Sequence, residues 1–571
     1  MSSSTWRPWH GPFIWWNFLA LSLVVLAGGL CLPMPFWADQ ALFTIFAREL
    51  TRGAVLYRDL FDIKQPGIYV FYAFGGLLFG FNEVGIRLFE LVYWLAFSVF
   101  ALATLSPYFT TRWGAALVPV FTVVVYYLYA GLLDLTQVEI LVAVPLLVAW
   151  FLIDQGDPGS RTGLTRYAAA GLAAAAVVLL KHLYLLIILA FLGYACLRTV
   201  RRGLPIAHVK RSLAVFFLAL VVPLLIVGAY FAAYGQLGRI WWAYFEMAPA
   251  SQLLRPKHYD YLIAGARKFM IGHAPFLILA AFGCVHALRL RPRPQLDLVV
   301  GMMLWCGVGA VAVVFLQGWN EYKWPLFTIP LGILALVGVE ALSALARSFG
   351  RKARLPIVAA GAAIGILTFV VAEPVPHLQT RLLLSVIIGA CAGFGAESHA
   401  MRPGGHRLML LGLATALAVS TGLAAIGPVN KIRTLIKHDF ALTTAGRTGF
   451  QRSWNYSYLT IDNDLAVFRS GNPLPGPLHV FGDQVLLLRA NRRLAVPIPG
   501  CGPWFLDDRA WREMNSDLRA TLPPYIVVEG DLGSYIRGRA PAIMNLLASR
   551  YTVAFVGEFG TWYVRRTDRQ P

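Results

Sequence analysis

The sequence predicts an all-α polytopic membrane domain of about 13 transmembrane helices over residues 1–427, followed by a small soluble α/β domain over 428–571. Three observations carry that expectation. Of the 571 residues, 58% are hydrophobic and 14% charged, and the mean hydropathy is +0.62, too apolar for a water-soluble surface. Runs such as Phe18–Pro35 and Val215–Gly235 hold no charged residue and are sized for a hydrocarbon core about 30 Å thick. Past residue 427 the pattern changes to turns and short strand-like runs.

The first apolar run has Trp6-Arg7-Pro8-Trp9-His10 before it and no small-x-small cleavage site after Cys31, so it reads as a retained span. Spans are expected near 14–32, 86–105, 113–130, 138–153, 166–181, 182–198, 212–233, 270–288, 298–316, 325–346, 355–373, 381–396 and 407–427. Residues 167–197 are apolar except for Lys181-His182. As one helix they would measure about 46 Å, which overshoots the bilayer core, so the chain is expected to turn at Lys181-His182. The basic loops Arg198–Arg211, Arg289–Arg293 and Arg351–Arg354 then share one side, cytoplasmic by the positive-inside rule. The first loop (33–85), the loop 234–269 and the tail 428–571 face outward. Trp241-Trp242, Tyr244-Phe245 and Tyr259 predict a helix lying in the membrane interface within 234–269.

In the tail, Asn472-Pro473 and Pro475-Gly476-Pro477 are turn signals. Strands are expected at Leu478–Phe481, Tyr525–Glu529, Val553–Val556 and Trp562–Arg565, with a helix at Pro541–Tyr551. Gly482-Asp483-Gln484 and Asp507-Asp508 read as turns, and the tail is expected to carry no catalytic residue. The net charge of +20 is no nucleic-acid signature, because much of it lies in short loops between spans, where it sets topology. The six cysteines are scattered, mostly within apolar runs, and read as small core residues.

The chemistry concentrates in the first loop. Apolar residues at 38, 42, 45, 46 and 50 have helical spacing and Gly53 supplies a stop, which places Asp39 in the first turn of an interfacial helix. The helix dipole alone accounts for an acid there. Phe36-Trp-Ala-Asp39, Arg52-Gly53, Tyr57-Arg58-Asp59, Lys64-Gln-Pro66 and Leu78-Phe-Gly80 with Arg87-Leu88 resemble, in order and spacing, the opening of the C-superfold (GT-C) membrane glycosyltransferases. The resemblance covers residues 36–90 and points to the clan of the protein O-mannosyltransferases and the lipid A aminoarabinose transferase.

That resemblance implies an inverting glycosyltransferase in the inner (plasma) membrane with an extracytoplasmic active site. The donor would be a polyprenyl-phosphate sugar and the acceptor a hydroxyl of a lipid, glycan or protein. It makes Asp39 the general base, a role worth about 10²–10⁴-fold in rate. Lys64, with Arg58 beside it, would hold the departing lipid phosphate, although basic residues here also suit anchoring at phospholipid headgroups. Lys181 is similar to a lysine that follows the fifth span in such proteins, commonly within Thr-Lys-Gly, a motif only partly met here by Leu180-Lys181-His182. Lys323 resembles a cation that lies near the phosphate before a later span, and an interfacial anchor is the alternative for it. A second acid is expected at the head of a span. Glu139 fits slightly better than Asp134, and either would hold a divalent metal or the sugar, or would simply cap its helix. A transporter or lipid flippase is the alternative, with a polysaccharide polymerase or ligase third. Transporters tend to show repeats and mid-span ionisable residues, and polymerases a large later catalytic loop.

Overall fold

A computed structural model describes residues 14–253, 259–290, 293–316, 321–347, 364, 367–368, 405–469, 474–530 and 532–566. The expected spans 355–373 and 381–396 and the loop Arg351–Arg354 fall wholly or largely outside them. The described residues are mostly helical. Seven helical stretches are long and apolar enough to cross a membrane, and Ile14–Gly29, Pro66–Phe79 and Val120–Tyr129 are shorter apolar helices. The architecture is therefore that of a multi-pass membrane protein, but the count of thirteen is not established.

The expected spans 14–32 and 86–105 coincide with the first and fourth helices, and two further helices lie between them. Helix α1 is Ile14–Gly29, α2 Ala38–Leu50, α3 Pro66–Phe79 and α4 Glu83–Thr104. Pro66 opens α3, where its fixed φ suits the first turn and its missing N–H costs nothing. Asn82 caps α4 by accepting from the Gly85 N–H at 3.0 Å. The helix Ile206–Ala233 shows Leu218, Leu225 and Ile226 on an exposed apolar face, as lipid contact requires.

The reversal expected at Lys181-His182 is present. Helix Arg161–Lys181 ends where Lys181 turns extended (φ −161°, ψ 100°), and a second helix runs from Leu185 to Arg201. The far ends of both meet one point: Arg166 donates to the Gln155 carbonyl, and Arg198 Nη1 to Asp154 Oδ1 at 2.5 Å. Arg198 also pairs with Asp297 at 2.9 Å, so the loops after 198 and before 297 lie at the same end of the bundle.

Helix α2 is covered by the rest of the chain, with Gln40 through Glu49 all buried. One expectation about the first loop is corrected: residues 66–79, assigned to the loop, form α3, an apolar helix of 14 residues.

The tail carries a four-stranded sheet ordered β1-β2-β4-β3, from Leu478–Phe481 (β1), Tyr525–Glu529 (β2), Tyr551–Val556 (β3) and Gly560–Arg565 (β4). β1 and β2 are parallel, and the other pairings antiparallel. Helices Asp508–Thr521, Leu532–Arg539 and Pro541–Arg550 accompany it, burying Trp511, Met514, Leu518, Ile536, Ile543 and Leu546.

The tail is knitted to the first loop. Phe36 N–H donates to Tyr458 Oη at 2.8 Å, and Asn455 Nδ2 to the Phe36 carbonyl at 3.0 Å. Arg48 spans to Asn491 Oδ1 (3.0 Å) and the Arg492 carbonyl (2.9 Å), and Phe61 N–H reaches the Pro497 carbonyl (2.8 Å). The helical segment 237–253 is wedged beside this contact. Trp242 stacks on Phe61 with ring centres 4.6 Å apart and donates to Asp507, while Arg239 pairs with Glu513 at 2.5 Å. Trp242 is therefore buried under the tail, while Trp241 and Phe245 keep the exposure expected of an interfacial helix.

Candidate active site

Between the first loop and the tail lies a cavity of about 910 Å³. Its floor is built from Asp39, Asp62, Lys64 and Gln65 of the first loop, with Lys181 and His182 at the helix reversal. Tyr244 and Met247 of the wedge segment and Tyr322 form a side.

Asp39 is set by the start of α2. Trp37 is extended, and its N–H is taken by Gln40 Oε1 at 3.0 Å. Gln40 Nε2 in turn donates to the carbonyls of Leu132 (2.7 Å) and Leu135 (2.8 Å). The α2 start is thereby fastened to the segment that leads into Glu139. Beneath it Arg87 donates to Gln40 Oε1 at 3.1 Å and to Thr136 Oγ1. Glu90 accepts from the Thr136 N–H at 2.9 Å and its Oγ1 at 2.8 Å. Thr136 sits at φ +55°, an unfavourable region for a β-branched residue. The buried bonds to both its main chain and side chain hold it there.

Lys64 is placed by a strained loop. Tyr57 is buried at φ +67°, and its Oη donates to the Lys64 carbonyl at 2.9 Å. Arg239 Nη1 donates to the Tyr57 carbonyl at 2.8 Å. Lys64 Nζ then reaches Asp39 Oδ2 at 3.3 Å, with the two side chains 22% and 39% exposed. Both are open to a ligand. Partial burial opposes the Lys64 charge, but the carboxylates of Asp39, Glu139 and Asp62, with the Tyr322 hydroxyl, hold its pKa above the ordinary lysine value. Asp62 accepts from Tyr69 Oη at 2.6 Å. Burial pushes the Asp62 carboxyl up, against the pull of Lys64.

Lys181 comes to the same place because α3 lies close against the end of helix Arg161–Lys181. A Cβ on Gly67 would stand 2.6 Å from the Leu179 carbonyl, so only glycine permits that approach. Lys181 Nζ pairs with Glu139 Oε1 at 2.6 Å; Glu139 is 1% exposed and lies behind the lysine. Gln65 Nε2 and His182 Nδ1 are 2.7 Å apart.

Asp39, Lys64 and Lys181 thus meet at one wall, with Glu139 behind it. Arg58 does not line the cavity; it pairs with its neighbour Asp59 at 2.8 Å and lies near the Tyr234 ring. Lys323 is buried beneath Tyr322 rather than on the wall. Asp134 lines a separate small pocket with Tyr126, His273 and Trp324, where burial raises its pKa to about 6. Among the described residues no three His, Cys, Asp or Glu side chains converge as a metal-holding group. Asp39 and Glu139 each face a lysine, Lys64 and Lys181 respectively.

The roof of the cavity comes from the tail. Asp483, read from the sequence as a turn residue, lines the cavity together with Glu529, Cys501 and Trp504 of the tail. Gly482 allows this with φ +139°, and its main chain passes so close to Glu529 that a Cβ would lie 2.2 Å from Oε2. The Asp483 N–H donates to Glu529 Oε2 at 2.8 Å, and Asp483 Oδ1 accepts from Val485 N–H at 3.0 Å. Burial, with Glu529 and Asp39 facing it, raises the Asp483 pKa to about 7 against the Val485 hydrogen bond. The signal available in the sequence was an Asp directly after a strand and a glycine, a position from which loop residues commonly face a site.

No family model and no curated protein matches the chain. Solved structures do. ArnT from Cupriavidus metallidurans, bound to undecaprenyl phosphate and in the apo state, matches in each case with TM-score 0.54 and 14% identity, over 97% of this chain and 98% of that one. AglB, the archaeal oligosaccharyltransferase from Archaeoglobus fulgidus, solved with an inhibitory peptide and a dolichol-phosphate, gives TM-score 0.41 and 11% identity over 98% and 75%. At this identity it is architecture that the ArnT match establishes, and the chain has the GT-C fold that its motifs at residues 36–90 resemble.

Proposed function

We propose that the chain is a membrane glycosyltransferase that takes its sugar from a polyprenyl-phosphate donor in the cavity between the first loop and the tail. The observation that carries the reading is the Lys64–Asp39 pair at 3.3 Å on an open wall, with Lys181 on the same wall. Two cations there suit a lipid phosphate, and a partly exposed carboxylate beside them suits an acceptor hydroxyl. ArnT, with the same fold, binds undecaprenyl phosphate, which supports a lipid carrier of this kind.

In this reading the donor phosphate is drawn to Lys64 and Lys181. The acceptor oxygen attacks the anomeric carbon from the opposite face, and the carbon–oxygen bond to phosphate breaks. The electron pair leaves with the phosphate, where the lysines offset the growing charge. The hydroxyl proton passes to Asp39 Oδ, and the anomeric configuration inverts. The cavity mouth takes the acceptor from the side on which the tail lies, expected from the charge distribution to be extracytoplasmic.

The test is to present the purified full-length protein in nanodiscs with a panel of undecaprenyl-phosphate sugars and a membrane extract as acceptor source. Consumption of one donor with stoichiometric release of undecaprenyl phosphate is expected. Movement of a lipid-linked substrate across the bilayer without cleavage would overturn the reading in favour of a flippase.

A further inference from the structure

The cavity wall has a division of charge that the donor does not explain. Its lysines, Lys64 and Lys181, lie on the membrane-side floor. Among the described residues of the tail that line it there is no Lys, Arg or His, while Asp483 and Glu529 both are present. The floor offers an anion two lysines, although these are paired with Asp39 and Glu139, whereas the roof offers it carboxyl groups and no cation among the described residues.

The roof also has unused bonding capacity. Asp483 is 9% exposed; its Oδ1 takes the Val485 N–H, and no hydrogen bond to Oδ2 is formed among the described residues. Glu529 Oε2 takes the Asp483 N–H, and among the described residues no hydrogen bond to Oε1 is formed. Both carboxyl groups face the cavity, where a ligand hydroxyl can take the place of water on an oxygen. Carboxylates accept from hydroxyls in short, charge-assisted bonds. Beside them Trp504 is 50% exposed although it lines the same cavity, with its neighbour Phe505 at a ring-centre distance of 5.9 Å. An open indole face packs against the C–H face of a sugar ring and gains from the area that it covers.

We propose that Asp483, Glu529 and Trp504 form an acceptor subsite for a neutral, hydroxyl-rich group, a sugar, and that an anionic acceptor group is excluded from it. The inference rests on the glycosyltransferase reading and deepens it by naming the acceptor class. The tail is then the part of the chain that selects the acceptor, and the floor the part that holds the donor. In that arrangement the hydroxyl to be glycosylated is held from above by the carboxylates and directed down to Asp39.

The experiment uses full-length protein in nanodiscs, which avoids sugar-headed detergents. Saturation-transfer NMR compares methyl glycosides of glucose, mannose and galactose with the corresponding 6-phosphates. At least one neutral glycoside is expected to bind, and its phosphate to bind about tenfold more weakly or not at all. Trp504→Ala and Asp483→Asn should each weaken the neutral glycoside fivefold or more. The second is nearly isosteric and guards against loss of fold in the first. Binding of the phosphates as tight as that of the parents, absence of any neutral glycoside binding, or indifference to both substitutions would overturn the proposal. Binding of undecaprenyl phosphate to the same samples, with and without Lys64→Ala, is read separately. Failure there strikes the donor reading while a surviving sugar signal keeps the acceptor subsite, so the two failures are distinguishable.

Discussion

Lys181, at the break between two helices, donates to Glu139 at 2.6 Å from the head of another, and the carboxylate is almost wholly buried. The pair joins the helix reversal to the segment that Gln40 fastens to the start of α2. Removing one partner strands the other charge in an apolar setting, which costs about 3–5 kcal/mol. Lys181→Met should therefore lower the thermal midpoint of the purified protein strongly. Adding Glu139→Gln should recover most of that loss, because a neutral amide needs no counter-charge. If the double variant is no more stable than Lys181→Met, the buried charge is not the cause.

Asp39 and Lys64 should fail in different ways. Asp39→Asn keeps size and most hydrogen bonding but removes the basicity. Sugar transfer should fall by roughly 10²-fold or more while the lipid-phosphate donor still binds. Lys64→Ala removes a cation from the phosphate and should weaken donor binding as well as turnover. Transfer and undecaprenyl phosphate binding, measured on folded protein, separate the two. Near-normal transfer by Asp39→Asn would remove the base assignment.

If Asp39 is the base, Arg87 should act as a positioning residue for it. It is 1% exposed and reaches Gln40, the residue next to Asp39, as well as Thr136. Arg87→Lys keeps the charge but cannot serve both acceptors with the planar guanidinium fork. Turnover should fall about tenfold or more with little change in KM for the donor, because Lys64 and Lys181 are untouched. A rise in KM with unchanged kcat would contradict that role.

Asp483 predicts a pH dependence of stability whose sign is opposite to the usual carboxylate case. Its pKa is raised from 3.8 to about 7 by burial and by Glu529 and Asp39. Between those values the folded chain holds a proton that the unfolded chain has lost. Its contribution is therefore full below about pH 4, declines as pH rises to about 7 and is flat above. Asp483→Asn removes this slope, so the variant should gain on the parent by roughly 2–4 kcal/mol between pH 4 and 8. Unfolding midpoints across that range test it, and parallel curves for the two proteins would refute it.

Tyr57 and Thr136 show why parts of the site were not legible in the sequence. Neither residue favours positive φ, and nothing local to either signals it; each is held by bonds from residues far along the chain, Arg239 and Glu90 among them. The position of Asp483 on the cavity wall was hidden for a related reason. An Asp after a strand and a glycine is chemically indistinguishable from an ordinary turn until the opposite wall is known. The second-acid assignment was likewise undecidable along the chain. Glu139 and Asp134 lie five positions apart, and only folding puts the first behind Lys181 and the second in a pocket with His273.

What this sequence determined by itself is what repeats locally. Uncharged runs of bilayer length identify membrane helices because a span must satisfy its own backbone and offer lipid an apolar surface. The break at Lys181-His182 and the four strands of the tail were readable for the same reason, since span length and short β-rich runs between turns are local quantities. The order of Asp39, Lys64 and Arg87 carried the likeness to the GT-C fold. What only the tertiary structure decided is which charges face one another. Arg58 and Lys64 are six residues apart in one basic loop, yet one turns away to Asp59 and the other enters the cavity. The tail, a separate pattern in the sequence, closes that cavity with Asp483 and Glu529. The energy of a charge depends on its neighbours and its burial, and both are properties of the folded chain.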